Sequence, residues 1–411
     1  MPPRSTPDAA TTAGETGSAT TGLLRPASRR SGIDSFIVMD VMRDAAAREA
    51  AGHSVIHMEV GQPGTAAPAT ARAAAASRIA TEKLGYTLAL GMPELRARIA
   101  ALYDEWYGVR LGPERVVVTT GSSAGFLLSF LALFDAGDRV ALPSPGYPCY
   151  RHILTSLGQT PVLIETGPAT RWMPTVEAIA AAHEASPLGG VLIASPANPT
   201  GTMLEPERLA AITRFCRERG IWFISDEIYH GLTWGARAHS ALESSDNVIV
   251  INSFSKYFSM TGWRIGWMVV PEALVSTVER LAQNLFISAP AVSQVAAIAA
   301  FDGRAELEAN RAVYAANRAV LLDALPKAGL DAIVPADGAF YLYVDVSRFT
   351  DDSLAFTRQM LAETGIAATP GIDFDPDHGR HFVRFSYAGT TADMAEAGRR
   401  LQSWSRLRPS R

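Results

Sequence analysis

At 411 residues the chain is longer than one core of ordinary size supports, so two domains are expected. A hydrophobic fraction of 48% with 19% charged residues excludes a disordered chain, and a formal charge of −4 excludes nucleic acid as the main partner, since no basic excess exists to neutralise phosphates. Two cysteines, Cys149 and Cys216, lie far apart in no metal-like spacing, which argues against a disulfide framework and for a reducing cytoplasm.

Residues 1–31, rich in Ala, Thr, Ser, Gly and Pro, read as a disordered tail without the apolar core of a signal peptide. The Arg29-Arg30 pair is weak as a twin-arginine signal, because "SGIDSFIVMD" behind it carries acids and soon becomes an amphipathic helix. Nowhere do about 18 apolar residues run uninterrupted, so no membrane span is expected. "SFIVMDVMRDAAAREAAG" has helical spacing and ends on Gly52; "SVIHMEVGQP" is a short strand that breaks at Gly61 and Pro63. "MPELRARIAALYDEWYG" is a helix with Pro93 in its first turn.

Four later strands share one design, an apolar run followed by a polar cluster: "RVVVTTGSS", "GVLIASPANPTG", "IWFISDEIY" and "VIVINSFSK". Helices such as "EPERLAAITRFCRERG" separate them, so a mainly parallel sheet covered on both faces is expected. In such sheets ligands bind beyond the carboxyl ends of the strands, where the polar clusters sit. From about residue 311 a long helix "ANRAVYAANRAVLLDALPKAG", the strand-like "GAFYLYVDVS", a helix around "LAFTRQMLAETG" and the strand "HFVRFSYA" suggest a smaller α/β layer. The expected division is a tail at 1–31, an N-terminal helix and strand at 32–60 joined to the small domain, a large domain at 61–310 and the small domain at 311–411. There is no internal repeat.

The clusters read as chemistry. Lys256, at a strand end among Ser253, Ser255, Ser259 and Thr261 and followed by Arg264, fits a Schiff-base amine beside a phosphate site. Ser253, Ser255 and Arg264 would donate to phosphate oxygens, the arginine bidentately. "TTGSSAGF" enters a helix with small residues and free N–H groups, a natural anion cradle. Asp226, at a buried strand end, is costly unless it meets a cation, and a protonated pyridine nitrogen is such a partner. Asn198 and Tyr229 could donate to a phenolate oxygen, and Tyr147 could lie flat on a ring. Each has a plainer reading: a solvated lysine, a helix cap, a turn, half-buried packing, a surface ion pair. Their joint occurrence, in order, at successive strand ends favours the chemical one.

The set "NPTG", "DEIY" and "SFSKYFSMTGWRIG", with "RFSYA" near the end, resembles the class I/II aminotransferases, fold type I pyridoxal-phosphate enzymes, over residues 32–405. The resemblance implies a large domain with a seven-stranded-type, mainly parallel sheet between helices, plus a smaller α/β domain. It implies pyridoxal 5'-phosphate held by Lys256 as an internal aldimine, with Lys256 then shuttling a proton between Cα and C4′. Asp226 would keep the pyridine nitrogen protonated; Asn198 and Tyr229 would bind the phenolic oxygen; Tyr147 would stack on the ring. Ser122, Ser123, Ser253 and Arg264 would hold the phosphate, with Tyr86 of "GYTLALGMPELR" lent to the neighbouring subunit of a homodimer. Arg384 would pair with the substrate α-carboxylate, with Gly61 and Asn198 lining the same pocket.

The function expected is transfer of an amino group between an L-amino acid and a 2-oxo acid. A C–S lyase on the same fold is the alternative; a cofactor-sensing transcription regulator would need a basic domain ahead of the fold, for which residues 1–31 are too short and too polar. Relatives acting on acidic substrates often carry an arginine where "QNLFISAP" places Asn284, among the apolar Leu285, Phe286 and Ile287, and some carry a lysine at Ser123. Neutral or aromatic donors are therefore expected, with Arg29 or Arg30 as the other conceivable source of a counter-charge.

Overall fold

The computed structural model describes residues 26–407. Of the expected tail, residues 1–25 lie outside the described residues, while Arg29–Ser31 form one exposed 3-10 turn. Helix α1 (Ile37–Ala50) leads into a two-residue strand, β1 (Ile56–His57), far shorter than the stretch "SVIHMEVGQP" suggests. Two helices, α2 (Ala69–Thr81) and α3 (Pro93–Tyr107), precede the main sheet. Pro93 stands at the first helical position, where its missing N–H costs nothing.

The main sheet then builds by alternation: β2 (Val116–Thr119), α4 (Gly121–Leu133), β3 (Arg139–Ser144), α5 (Pro148–Leu157), β4 (Thr160–Glu165), α6 (Val176–Ala185) and β5 (Gly190–Ala194). It continues through α7 (Pro206–Arg219), β6 (Trp222–Asp226), β7 (Ile249–Ser253) and β8 (Gly266–Val269). The seven strands lie in the order β2-β8-β7-β6-β5-β3-β4. All neighbours are parallel except β8, which runs antiparallel to both β2 and β7. The fold is therefore α/β with a mainly parallel sheet between helices. β2, β5 and β7 are buried along their whole length, the state that unbroken apolar runs produce when both faces are covered. Residues such as Leu192, Ile224 and Ile251 are fully buried, each contributing about 1.5–3 kcal/mol by leaving water.

Helices α8 (Glu272–Leu285) and α9 (Ala291–Ala300) lead to α10 (Arg304–Lys327), which begins before the stretch expected from sequence. Beyond it come β9 (Tyr341–Asp345), α11 (Ser353–Thr364), β10 (Ile366–Ala367), β11 (Thr369–Pro370), β12 (Phe382–Ser386) and α12 (Thr391–Ser403). Strands β11, β12 and β9 form an antiparallel sheet, and β1 pairs in parallel with β10. Val41 and Ala45 of α1 pack with Leu361 and Ala367, so the N-terminal helix sits on the C-terminal layer.

Candidate active site

The carboxyl ends of β5, β6 and β7, adjacent in the sheet, open onto a cavity of about 330 Å³. Each strand ends where its apolar run ends, and the next residues turn their side chains into this space. β5 delivers Asn198, β6 delivers Asp226 and Tyr229, and β7 delivers Ser255 and Lys256. The start of α4 adds Ser122 and Ser123, and the start of α5 adds Tyr147 and Tyr150. From the C-terminal layer come Tyr341 and Arg384; Gly61 follows β1; Phe36, Val38 and Met39 open α1.

One end of the cavity is built for an anion. Ser122 and Ser123 lie in the first turn of α4, whose N–H groups have no helical partners and carry the positive end of the helix dipole. Arg264 brings its guanidinium against Gly121, whose φ of +72° and missing Cβ allow the approach; a Cβ there would strike the guanidinium. Arg264 itself has φ +50° and donates from Nη1 to the Thr261 carbonyl at 3.1 Å.

A buried carboxylate lines the same cavity. Asp226 is buried; its Oδ1 accepts the Ile228 N–H at 3.0 Å and its Oδ2 accepts the Tyr150 hydroxyl. Burial pushes the Asp226 carboxyl up to about 6, against the pull of Tyr150, the Ile228 N–H and the charge of Lys256. Such a group recovers its charge when a cation comes beside it.

Lys256 lines the cavity half-buried, its Nζ donating to the Gly61 carbonyl at 2.5 Å and lying 5.7 Å from the Tyr229 ring centre. Burial lowers its amine to about 8, helped by the positive charges of Arg384 and Arg264 and opposed by Asp226. Tyr229 shares a hydrogen bond with Tyr341 between their hydroxyls at 2.6 Å. A Cβ on Gly61 would run into that same Tyr341 hydroxyl.

Arg384, on β12, is buried between the rings of Tyr341 and Phe374, at 4.3 and 4.7 Å from their centres. Its Nη1 donates to Asn198 Oδ1 at 2.8 Å, and its Nη2 donates to Thr369 Oγ1 at 3.1 Å and to the Glu59 carbonyl. Its Nε has no partner among the described residues. A rigidly held guanidinium with a spare buried donor is suited to a carboxylate.

Twelve of the residues singled out from sequence line the cavity: Gly61, Ser122, Ser123, Tyr147, Asn198, Asp226, Tyr229, Ser255, Lys256, Thr261, Arg264 and Arg384. Ser253 does not; its hydroxyl is used beneath the cavity, on the Ile265 carbonyl at 3.0 Å and on Ser255 Oγ at 2.8 Å, and Ser255 is the serine at the wall. Tyr86 is also outside, 84% exposed. Asn284, Leu285 and Ile287 are exposed and Phe286 is half-buried, none of them at the cavity, and neither Arg29 nor Arg30 lines it. Tyr150, Tyr341 and the apolar trio Phe36, Val38 and Met39 were not foreseen. For Tyr150 a signal existed, since it lies three residues after Tyr147 and so on the same side of one helical turn. For Tyr341 and the α1 residues none did, because they arrive by tertiary packing.

The family model described as aminotransferase class I and II matches residues 53–401. A protein of Mycobacterium tuberculosis named valine–pyruvate aminotransferase is 52% identical over 91% of this chain and 97% of its own length. The crystal structure of an aminotransferase from Mycobacterium tuberculosis superposes with a TM-score of 0.90 at 50% identity, covering 92% of this chain and 99% of that one. An aspartate aminotransferase from Thermus thermophilus, solved with maleate, has a TM-score of 0.86 at 29% identity, covering 92% and 99%.

The cavity's donor set fits pyridoxal phosphate. An anion cradle with an arginine suits the phosphate, a buried carboxylate in the same cavity suits a pyridinium nitrogen, and a lysine with a lowered pKa feels the charges of both. The chain belongs to the class I and II aminotransferases, and it is a pyridoxal-phosphate-dependent enzyme that moves an amino group between an amino acid and a 2-oxo acid.

Proposed function

We propose that this aminotransferase acts on neutral, aliphatic or aromatic amino donors, among which valine, with pyruvate as acceptor, is the foremost pair. The observation that carries the reading is the charge inventory of the cavity. Its lining holds three cations, Lys256, Arg264 and Arg384, and each already has a task. No further cation among the described lining residues is left to meet a second carboxylate, whose unpaired burial costs several kcal/mol. The lining instead includes the apolar Phe36, Val38 and Met39. The 52% identity to a protein named valine–pyruvate aminotransferase supports the same choice. The C–S lyase alternative has no counterpart among the three relatives described above.

The residues would divide the work as follows. Bound pyridoxal phosphate supplies an electron sink that stabilises the pair left when the Cα–H bond breaks. Lys256 would hold the cofactor covalently and then, as a free amine, would take the proton from Cα and deliver it two atoms away, at C4′; an amine near 8 can do both close to neutral pH. Arg384 grips the α-carboxylate and sets Cα–H towards Lys256, with Gly61 lining that pocket. Asn198 already spends its Oδ1 on Arg384, which leaves its amide nitrogen, with the Tyr229 hydroxyl, for the cofactor's phenolic oxygen. Asp226 keeps the ring nitrogen charged, Tyr147 covers the ring, and Ser122, Ser123, Ser255 and Arg264 hold the phosphate.

The donor reading is tested by kcat/KM for alanine, valine, leucine, phenylalanine, aspartate and glutamate with pyruvate fixed. Neutral donors are expected to lead; aspartate ahead of them by tenfold or more contradicts it. For Arg384→Ala, the loss of a charge-assisted pair worth about 1.5–3 kcal/mol is expected to lower kcat/KM for amino acids roughly ten- to 150-fold. Simple amines without a carboxylate are expected to lose much less; equal losses would make Arg384 structural.

A homodimer with shared sites belongs to the same proposal. Tyr86, Leu88, Leu285 and Ile287 are 84, 62, 47 and 51% exposed on two loops joined by a hydrogen bond from the Thr87 N–H to Ser288 Oγ at 3.3 Å. Ile287 has φ +65°, a strained value for a β-branched residue and one that functional loops tolerate. Tyr86 would reach the phosphate of the neighbouring subunit. Sedimentation at assay concentration is expected to give about twice the chain mass of 43.9 kDa; a fully active monomer contradicts it. The division into a 61–310 unit and a unit of 32–60 with 311–411 is proposed too, supported by the β1–β10 pairing. A cytoplasmic location is in keeping with unpaired cysteines at 149 and 216; no helix among the described residues is long and apolar enough to cross a membrane.

A further inference from the structure

We propose that Asp373 is a positioning residue for side-chain selection: it anchors the first turn of α1 over the cavity and so sets how well bulky neutral donors are held. The proposal rests on the neutral-donor reading above.

Helix α1 begins without a cap of its own, since Phe36 at the N-cap offers no side-chain acceptor. Its first two N–H groups are received from the far end of the chain, Ile37 by Asp373 Oδ1 at 3.2 Å and Val38 by Asp373 Oδ2 at 3.4 Å. Asp373 is 1% exposed, and among the described residues no cation lies within ion-pair distance of its carboxylate. Burying a carboxylate on two long hydrogen bonds is expensive, and a serine, threonine or aspartate at position 36 would cap the helix at lower cost. What the local cap would not do is fix where the helix begins relative to the cavity.

That placement matters because of what the turn carries. Phe36, Val38 and Met39 form the apolar wall, and the Phe36 ring meets Tyr147 edge-on, with centres 5.8 Å apart. The backbone around Asp373 reaches the other parts of the site. Its carbonyl accepts Arg151 Nη2 of α5 at 2.7 Å, and the Phe374 carbonyl accepts the Gly146 N–H at 3.0 Å, one residue before Tyr147. The Phe374 ring lies 4.7 Å from the Arg384 guanidinium carbon. One two-residue turn thus ties the side-chain wall, the face of Tyr147 and the carboxylate-binding arginine together. A donor with a branched side chain depends on all three; alanine, whose side chain ends at Cβ, needs only the last two.

The test compares the loaded wild-type enzyme with Asp373→Ala and Asp373→Asn. For Asp373→Ala, kcat/KM for valine and leucine is expected to fall about tenfold, chiefly through KM, a part of the roughly 15- to 60-fold by which two or three buried carbons favour them. Alanine is expected to change by less than about twofold, and amide hydrogen exchange at residues 37–39 to accelerate. Asp373→Asn keeps one acceptor and is expected to fall between, and it serves alone should the alanine variant not fold. Equal losses for alanine and leucine, no loss for either, or unchanged exchange at Ile37 and Val38 overturns the proposal. Should the wild type itself prefer aspartate, the neutral-donor reading and this one fall together; equal losses in a wild type that prefers valine remove this one alone.

Discussion

Replacing Lys256 by alanine is expected to lower kcat/KM by roughly 10⁴-fold or more, measured with valine and pyruvate. Proton transfer by a placed base is itself worth about 10²- to 10⁴-fold, and the proposed role of this residue includes holding the cofactor. No other lysine of the chain is placed to substitute. The chain has three lysines, and the other two, Lys83 and Lys327, are exposed and line no part of the cavity. In the proposed division of roles the barrier rises because Arg384 still presents Cα–H while nothing receives the proton. Adding a small primary amine such as methylamine is expected to restore part of the rate, since the lost group is then supplied in solution. A loss under about tenfold would mean that the amine near the Gly61 carbonyl is not the base.

The second large effect is expected at Asp226. Asp226→Asn keeps the shape of the side chain and removes its charge, so a protonated ring nitrogen loses its partner in a buried site. Breaking a buried ion pair from one side costs about 3–5 kcal/mol, and the loss in kcat/KM is expected to be roughly 10²- to 10⁴-fold. The local structure argues that the effect is electrostatic and not a collapse. Tyr150 and the Ile228 N–H already hold both carboxylate oxygens, and an amide can keep one of those bonds. Near-wild-type kcat/KM in a folded, cofactor-loaded Asp226→Asn would contradict the assignment.

How far the sequence carried the reading depends on how each residue reaches the cavity. Lys256, Asp226, Asn198 and Tyr229 follow directly from unbroken apolar strands, and a buried strand that stops in polar residues announces its own end. Strands β3 and β4 gave weaker signals: each contains a proline and polar residues, and β4 lies at the sheet edge, half exposed. β8 has only four residues. Ser253 and Ser255 look equivalent in sequence, but Ser253 still belongs to β7 and spends its hydroxyl on the Ile265 carbonyl across to the next strand, so only Ser255 reaches the wall. Contacts between distant segments left no local trace. Asp373 meets Ile37 across 336 positions, Arg384 meets Asn198 across 186, and the wall of Phe36, Val38 and Met39 reads as an ordinary amphipathic helix start until the C-terminal layer is in place.

Lys256 is the residue proposed to carry the cofactor, and the scarcity of lysine makes that directly measurable. The purified, cofactor-loaded protein is to be reduced with borohydride, digested, and its peptides mapped by mass for the added pyridoxyl group. The expected result is a single labelled peptide, the one containing Lys256. Label on Lys83 or Lys327 in place of Lys256, or a fully active protein with no labelled lysine, would contradict it.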